Sequence, residues 1–229
     1  MSALAEPEIR VFDSMDALFH AAAERFVEQT KASVALSGGS TPKRLFDLLA
    51  QPPYRDQVDW RTLGIYWGDE RCVPPDHPDS NYGMAKQHLL DRVPAERVFR
   101  IKDEIDPKEA AVEYEKLLPP EPFDLALQGL GSNSHTASLF PHTDVLKVTD
   151  RRVAAVWVQE VNMWRITITV PELQRARHIL FLVAGEDKAE AVHTVIQGLY
   201  DPDAYPAQVV RHSQGTVTWF LDKGAASKL

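Results

Sequence analysis

Short, nearly continuous apolar runs alternate along this chain with stretches whose apolar residues recur at helical spacing, and no other feature restricts the fold as strongly. Ile9–Phe12 reads as a strand, and Met15–Thr30 as a helix with Leu18, Ala21, Ala22 and Phe26 on one face. Ser33–Leu36 is a second strand, ended by Gly38-Gly39. Thr41–Leu49 follows as a helix with Thr41 as its cap and Pro42 at the first helical position. Leu63–Trp67 reads as a strand leading into a long polar loop, Gly68–Ser80, with helices over Asn81–Asp91 and Pro107–Leu118. Further strands are expected at Phe123–Gln128, Val153–Val158, Arg165–Val170, His178–Val183 and Thr216–Leu221, and a last helix at Asp187–Gln197. Strands separated by helices of about ten to fifteen residues form parallel βαβ units. The runs VAL, FDLALQ and ILFLVA suit strands covered on both faces. Pro52-Pro53, Pro74-Pro75 and Pro119-Pro120 read as loop punctuation, not as domain boundaries. The expectation is one doubly wound α/β domain over residues 1–229, its mostly parallel sheet flanked by helices on both faces.

Composition narrows the function classes. With 44% hydrophobic and 25% charged residues the chain is neither disordered, collagen-like nor a membrane bundle. No stretch approaches about 18 consecutive apolar residues, so no bilayer span and no membrane partner is expected. The start, MSALAEPEIR, lacks a basic region followed by an apolar run and is read as carrying no secretory signal, which makes a cytoplasmic location the simplest expectation. Cys72 is the sole cysteine, which excludes an internal disulfide and a cysteine metal cluster. A net charge of −8 without any basic run disfavours nucleic acid, whose binding depends on neutralising phosphates. An anionic ligand would have to be drawn by a few local Lys and Arg side chains. No interface stripe marks an oligomer, and monomer and dimer both stay open.

In doubly wound sheets ligands bind outside the carboxyl ends of the strands, where the strand order reverses. Three loops at such ends carry candidate chemistry. In Ser37-Gly38-Gly39-Ser40-Thr41-Pro42 the glycines admit close backbone approach, and the free N–H groups of the following helix start face the same point. The segment suits an anion, or simply a tight capped turn. It is neither a P-loop nor a dinucleotide GxGxxG pattern, which argues against nucleotide and nicotinamide cofactors. The second loop, Gly68-Asp69-Glu70-Arg71-Cys72-Val73-Pro74, sets two carboxylates beside a guanidinium fork suited to phosphate or carboxylate. Without a ligand it would be a salt-bridge cluster. Ser80-Asn81-Tyr82, a few residues on, reads as a helix cap. The third loop runs from Gly129 through Gly131, Asn133 and Ser134 to His135 and on to Pro141. A histidine at the end of a glycine loop, with an ordinary pKa of about 6.5, suits a general base; the alternative is a cap on a helix beginning near Thr136. Lys188, in the first turn of a helix, opposes the helix dipole by a few tenths to about 1 kcal/mol. Its place there hints at an anionic partner, unless it is a solvated surface lysine.

Taken together, SGGSTP (Ser37–Pro42), GDERCVP (Gly68–Pro74), SNY (Ser80–Tyr82), GLGSNSHTASLFP (Gly129–Pro141), RITIT (Arg165–Thr169), GEDKAEA (Gly185–Ala191) and YPA (Tyr205–Ala207) resemble the 6-phosphogluconolactonase family. The resemblance implies a Rossmann-like fold shared with glucosamine-6-phosphate deaminases. It implies metal-free and cofactor-free hydrolysis of 6-phospho-D-glucono-1,5-lactone to 6-phosphogluconate, in the oxidative pentose phosphate pathway. By motif position Gly38, Gly39, Ser40 and Thr41 would hold the phosphate end, with Arg165 and Lys188 as its cationic partners. Arg71 would contact substrate with Asp69 beside it, and His135 would activate water. Family members often carry Asp-Gly where this chain has Asn133-Ser134. Asn133 can orient a neighbour by hydrogen bonding but cannot balance an imidazolium; if a carboxylate there matters, Asp69 or Glu70 must substitute, or His135 works less well. Ser134 in place of glycine implies a backbone without positive φ, or else a cost of about 1–2 kcal/mol.

That chemistry suits the residues. A lactone is an activated ester, so hydrolysis needs a base on water, donors near the developing oxyanion and a grip on the remote phosphate, but no covalent nucleophile. Two rival functions are a deaminase-like isomerase and a non-catalytic sugar-phosphate-binding protein. The first calls for an acidic residue just after the histidine loop, in deaminases part of a sequence resembling HIAFNEP, and Phe140 stands in that position here.

Overall fold

The computed structural model describes residues 6–229. The reading of the N-terminal segment as free of a secretory signal falls partly on residues 1–5, which lie outside the described residues. The chain forms β1 (Glu8–Phe12), α1 (Met15–Gln29), β2 (Ser33–Leu36), α2 (Ser40–Leu49), β3 (Gly64–Trp67), β4 (Asp69–Arg71), α3 (Asn81–His88) and β5 (Arg97–Val98). It continues through α4 (Pro107–Leu117), β6 (Leu125–Gln128), β7 (Val153–Val158), β8 (Met163–Ile168), α5 (Val170–Gln174), β9 (His178–Val183), α6 (Ala189–Gln197) and β10 (Thr216–Asp222). No helix among the described residues is long and apolar enough to cross a membrane.

Seven strands form one parallel sheet in the order β1-β10-β9-β6-β2-β3-β5. Its inner strands are the runs that read as buried on both faces: every residue of β2, β3 and β6 is buried, as are Ile179–Val183 of β9. Phe181 stacks on Trp219 of β10 at 3.8 Å between ring centres. Helix α1 buries Leu18, Ala22 and Phe26, the face its periodicity marks. Ser14 caps it by accepting the Ala17 N–H at 3.1 Å. Asp106 caps α4 through the Lys108 and Glu109 N–H groups, with Pro107 at the helix start. The buried Tyr114 of α4 then ties itself to the end of β3, its hydroxyl donating to the Trp67 carbonyl at 2.9 Å and accepting the Trp67 N–H at 2.8 Å. This contact fixes the point at which the second polar loop leaves the sheet.

A second, three-stranded antiparallel sheet has the order β4-β8-β7. It was not foreseen, because Asp69-Glu70-Arg71 has no apolar alternation and reads as loop; pairing with β8 makes it a strand. β8 also starts two residues before the expected strand, and Val170–Gln174 turns into the short helix α5. Helix α2 starts at Ser40 with Gly39 (φ 107°) as its cap, and no side chain completes that cap, so the expected role of Thr41 is corrected. α3 ends at His88, short of the expected Asp91.

Candidate active site

The strand order reverses between β2 and β6. From β2 the chain moves outward through β3 and β5; it then returns to β6 and proceeds outward through β9 and β10. The ends of β6, β2 and β3 are therefore neighbours, and the three singled-out loops leave from them. The small sheet adds Arg71 and Arg165, which stand opposite each other in its register. Ser37, Gly38, Asp69, Arg71, Gly129, Gly131, His135, Arg165 and Lys188 together line one cavity of about 240 Å³. Gly39 and Ser40 line an adjoining groove of about 820 Å³ that shares Arg71, and Thr41 lines neither.

His135 is placed by its own loop. The Gly131 N–H donates to the His135 carbonyl, and the Ser134 N–H to the Gly131 carbonyl, each at 2.9 Å. The imidazole lies so close over Gly131 that a Cβ there would stand 2.0 Å from Nδ1. Its ring stacks on Phe140 at 4.0 Å. Ser134 adopts φ 64° and Ala137 φ 48°, so of the two alternatives for Ser134 the strained one holds. No helix begins near Thr136; an isolated bridge joins Thr136 to Leu139 instead, and His135 is not a helix cap.

Asn133 Oδ1 lies 2.6 Å from His135 Nδ1 and also accepts the His135 N–H at 3.2 Å. An amide oxygen only accepts, so Nδ1 carries the proton and Nε2 of the neutral ring keeps its lone pair. Burial pushes the His135 pKa down to about 4; Asp69 opposes this, and the charges of Arg165, Lys188 and Arg71 add to it. The imidazole is thus neutral near pH 7.

Asp69 is buried and held elsewhere. Its Oδ2 accepts from the Ser138 hydroxyl at 2.6 Å and lies 3.8 Å from Arg165 Nη1, and its Oδ1 accepts from Asn81 Nδ2 at 3.2 Å. It acts on His135 through its charge. Glu70 accepts the N–H groups of Arg71, Asn81 and Tyr82 at 2.8, 2.8 and 2.7 Å, and burial pushes its pKa up to about 7 against them. Glu70 staples β4 to the start of α3, and no hydrogen bond joins it or Asp69 to the imidazole. The carboxylate that stands behind Asn133 is Glu160, whose Oε2 accepts from Asn133 Nδ2 at 2.8 Å.

Three cations share the cavity wall. Arg71 Nη1 donates to the Asp79 carbonyl at 2.6 Å, whereas Nε of Arg71 and Nε of Arg165 are buried without a partner. An unpaired buried donor costs about 1–3 kcal/mol, so such groups favour an anion within reach. Lys188 lies 3.4 Å from the exposed Asp187. No group of three or more His, Cys, Asp or Glu among the described residues is placed to hold a metal ion.

Residues to which the sequence assigns no role in the site complete the arrangement. Ser80 is the α3 cap as read, but Asn81 also packs into the first loop, where a Cβ on Gly38 would stand 1.7 Å from Asn81 Oδ1. Ser138 sits inside the HTASLFP run, where only its spacing from His135 could have marked it. Glu160 lies between two strands with no motif around it.

Fold and site define an α/β protein whose candidate site lies at the carboxyl edge of a parallel sheet. The sequence pattern of the family described as glucosamine-6-phosphate isomerases/6-phosphogluconolactonase matches residues 8–219, and the chain belongs to that family. A 6-phosphogluconolactonase of Aggregatibacter actinomycetemcomitans is 38% identical over 205 residues, 86% of this chain and 88% of that protein. The solved structure of 6-phosphogluconolactonase from Trypanosoma cruzi matches with a TM-score of 0.86 at 30% identity, covering 100% of this chain and 98% of that one. A monomeric glucosamine-6-phosphate deaminase matches with a TM-score of 0.86 at 22% identity, covering 97% of this chain and 100% of the other, a likeness of fold alone.

Proposed function

We propose that this protein hydrolyses 6-phospho-D-glucono-1,5-lactone to 6-phospho-D-gluconate in the oxidative pentose phosphate pathway, without a metal, using His135 as general base on water. The supporting observation is that His135 spends Nδ1–H on Asn133 and keeps Nε2 free on a cavity whose wall holds Arg71, Arg165 and Lys188. The phosphate end lies toward the cations and Gly38, where the groove lined by Gly39 and Ser40 adjoins the cavity at Arg71. The lactone carbonyl lies at the imidazole. Water adds to C1 as its proton passes to Nε2. The C1–ring oxygen bond then breaks, and the ring oxygen leaves as a hydroxyl with the proton returned from the imidazolium. Such a base contributes about 10²–10⁴-fold, and the phosphate grip holds the ring in place during both steps.

The test is formation of 6-phosphogluconate above the spontaneous rate, at mildly acidic pH where background hydrolysis is low. Turnover is expected to persist unchanged in excess chelator. Turnover abolished by chelator would contradict the metal-free reading, and release of ammonia and fructose 6-phosphate from glucosamine 6-phosphate would place the chain with the deaminases.

A further inference from the structure

The third loop does not hold His135 alone. We propose that Glu160 is a positioning residue for the hydrolysis: held against Asn133 at 2.8 Å, it fixes the amide so that Asn133 Oδ1, and not its NH₂ group, meets His135 Nδ1. The role rests on the general-base reading and explains how an uncharged residue can select the imidazole tautomer.

An asparagine amide presents a donor on one side and an acceptor on the other, and the two orientations differ only in what surrounds them. Here the His135 side supplies two donors, the ring Nδ1–H at 2.6 Å and the His135 backbone N–H at 3.2 Å. The far side supplies the Glu160 carboxylate, which only accepts. A flipped Asn133 would set donor against donor on one side and oxygen against oxygen on the other. It would also invite the opposite tautomer, with the proton on Nε2 and no lone pair left for water. Among the described residues Glu160 makes no ion pair with Lys, Arg or His, and its hydrogen bond goes to Asn133. The residue sits on the turn Gln159–Val161 between β7 and β8, closed by Asn162 in the left-handed region (φ 48°). One hairpin therefore supplies both Arg165 to the cavity wall and Glu160 to the back of the base.

The carboxylate also matters as the proton moves. The imidazolium forms facing Arg71 on β4, Arg165 on β8 and Lys188 before α6, with Asp69 on β4 as the facing anion. Glu160 adds negative charge beyond Nδ1, on the side away from the attacking water, and makes Asn133 Oδ1 a stronger acceptor.

The test uses the full chain with ¹⁵N-labelled histidine. In the parent protein the His135 nitrogen shifts should show Nδ1 protonated and Nε2 bare. Glu160→Ala should shift the population toward protonated Nε2 and lower kcat about tenfold with KM unchanged. Exchanging the two functions in Asn133→Asp/Glu160→Gln should restore kcat to within about threefold of the parent, because the aspartate accepts from both Nδ1 and the new amide. Asn133→Asp alone, with two carboxylates in contact, should be impaired. An unaltered tautomer and full kcat in Glu160→Ala, with His135→Ala inactive, would overturn the role of Glu160 and leave the base standing. Full activity in His135→Ala would sink the base itself, and this role with it.

Discussion

The two sheets of this protein divide the work unequally. The seven-stranded parallel sheet buries its inner strands on both faces and contributes its carboxyl edge, from which the glycine loops and His135 emerge. The three-stranded antiparallel sheet is polar where it meets the site and contributes Asp69, Arg71 and Arg165, with Glu160 on its hairpin turn. One is a frame held by apolar burial. The other packs Val153, Val158, Ile166 and Ile168 into the same apolar core and turns a charged edge to the site, tied to the frame by the Ile168 N–H donating to the Gly68 carbonyl at the end of β3. Damage to the buried core should cost stability, and damage to the charged edge that the small sheet turns to the site should cost binding.

The largest effect expected from that division is on the frame. Phe181→Ala removes a fully buried ring stacked on Trp219 and should cost about 3–5 kcal/mol in denaturant unfolding, while the fraction that stays folded keeps its kcat. A loss below about 1 kcal/mol would mean that the parallel sheet is not the stability core. Next come the cations. Arg165→Ala and Lys188→Ala should raise KM about 10–100-fold each with little change in kcat; Lys188→Ala should leave the unfolding free energy nearly unchanged, whereas Arg165→Ala also strips the buried Asp69 of its cation and should lower it. An unchanged KM in both would place the phosphate elsewhere. The smallest effect is a displacement of pH profiles. The base works only when neutral, so kcat/KM should fall as the pH drops through about 4, the value to which burial and the three cations hold His135 in the free protein. A bound phosphate dianion offsets those cations and raises the imidazole pKa, so the acid limb of kcat should lie at higher pH than that of kcat/KM. Coincident limbs would mean that phosphate binds too far away to be felt by the base.

The same division explains what the sequence discloses. Val34-Ala35-Leu36, Leu125–Gln128 and Ile179–Val183 are readable because burial on both faces admits little but apolar side chains there. Asp69-Glu70-Arg71 obeys no such rule: its composition answers to the site and its strand geometry to a partner nearly a hundred residues away. Of the site, the loop that carries His135 is legible from the glycines around it, since Gly131 must make room for the imidazole. The carboxylate behind it is not. The sequence points to Asp69 or Glu70, adjacent in a conspicuous motif, whereas those two are committed to Ser138, Asn81 and a run of backbone N–H groups. Glu160 reaches Asn133 only through the β7–β8 hairpin, a contact set by tertiary packing. The cap of α2 falls to Gly39 and not Thr41 because the helix already begins at Ser40, and Gly39 takes the left-handed φ of 107° that turns the chain into it.

The role of His135 is tested most sharply by the turnover of His135→Ala on 6-phospho-D-glucono-1,5-lactone, corrected for spontaneous hydrolysis, beside its thermal unfolding. With His135 as the base, the variant should show a kcat lower by about 10²–10⁴-fold, unfold near the parent temperature and still bind 6-phosphogluconate. A folded variant that loses less than tenfold would contradict it.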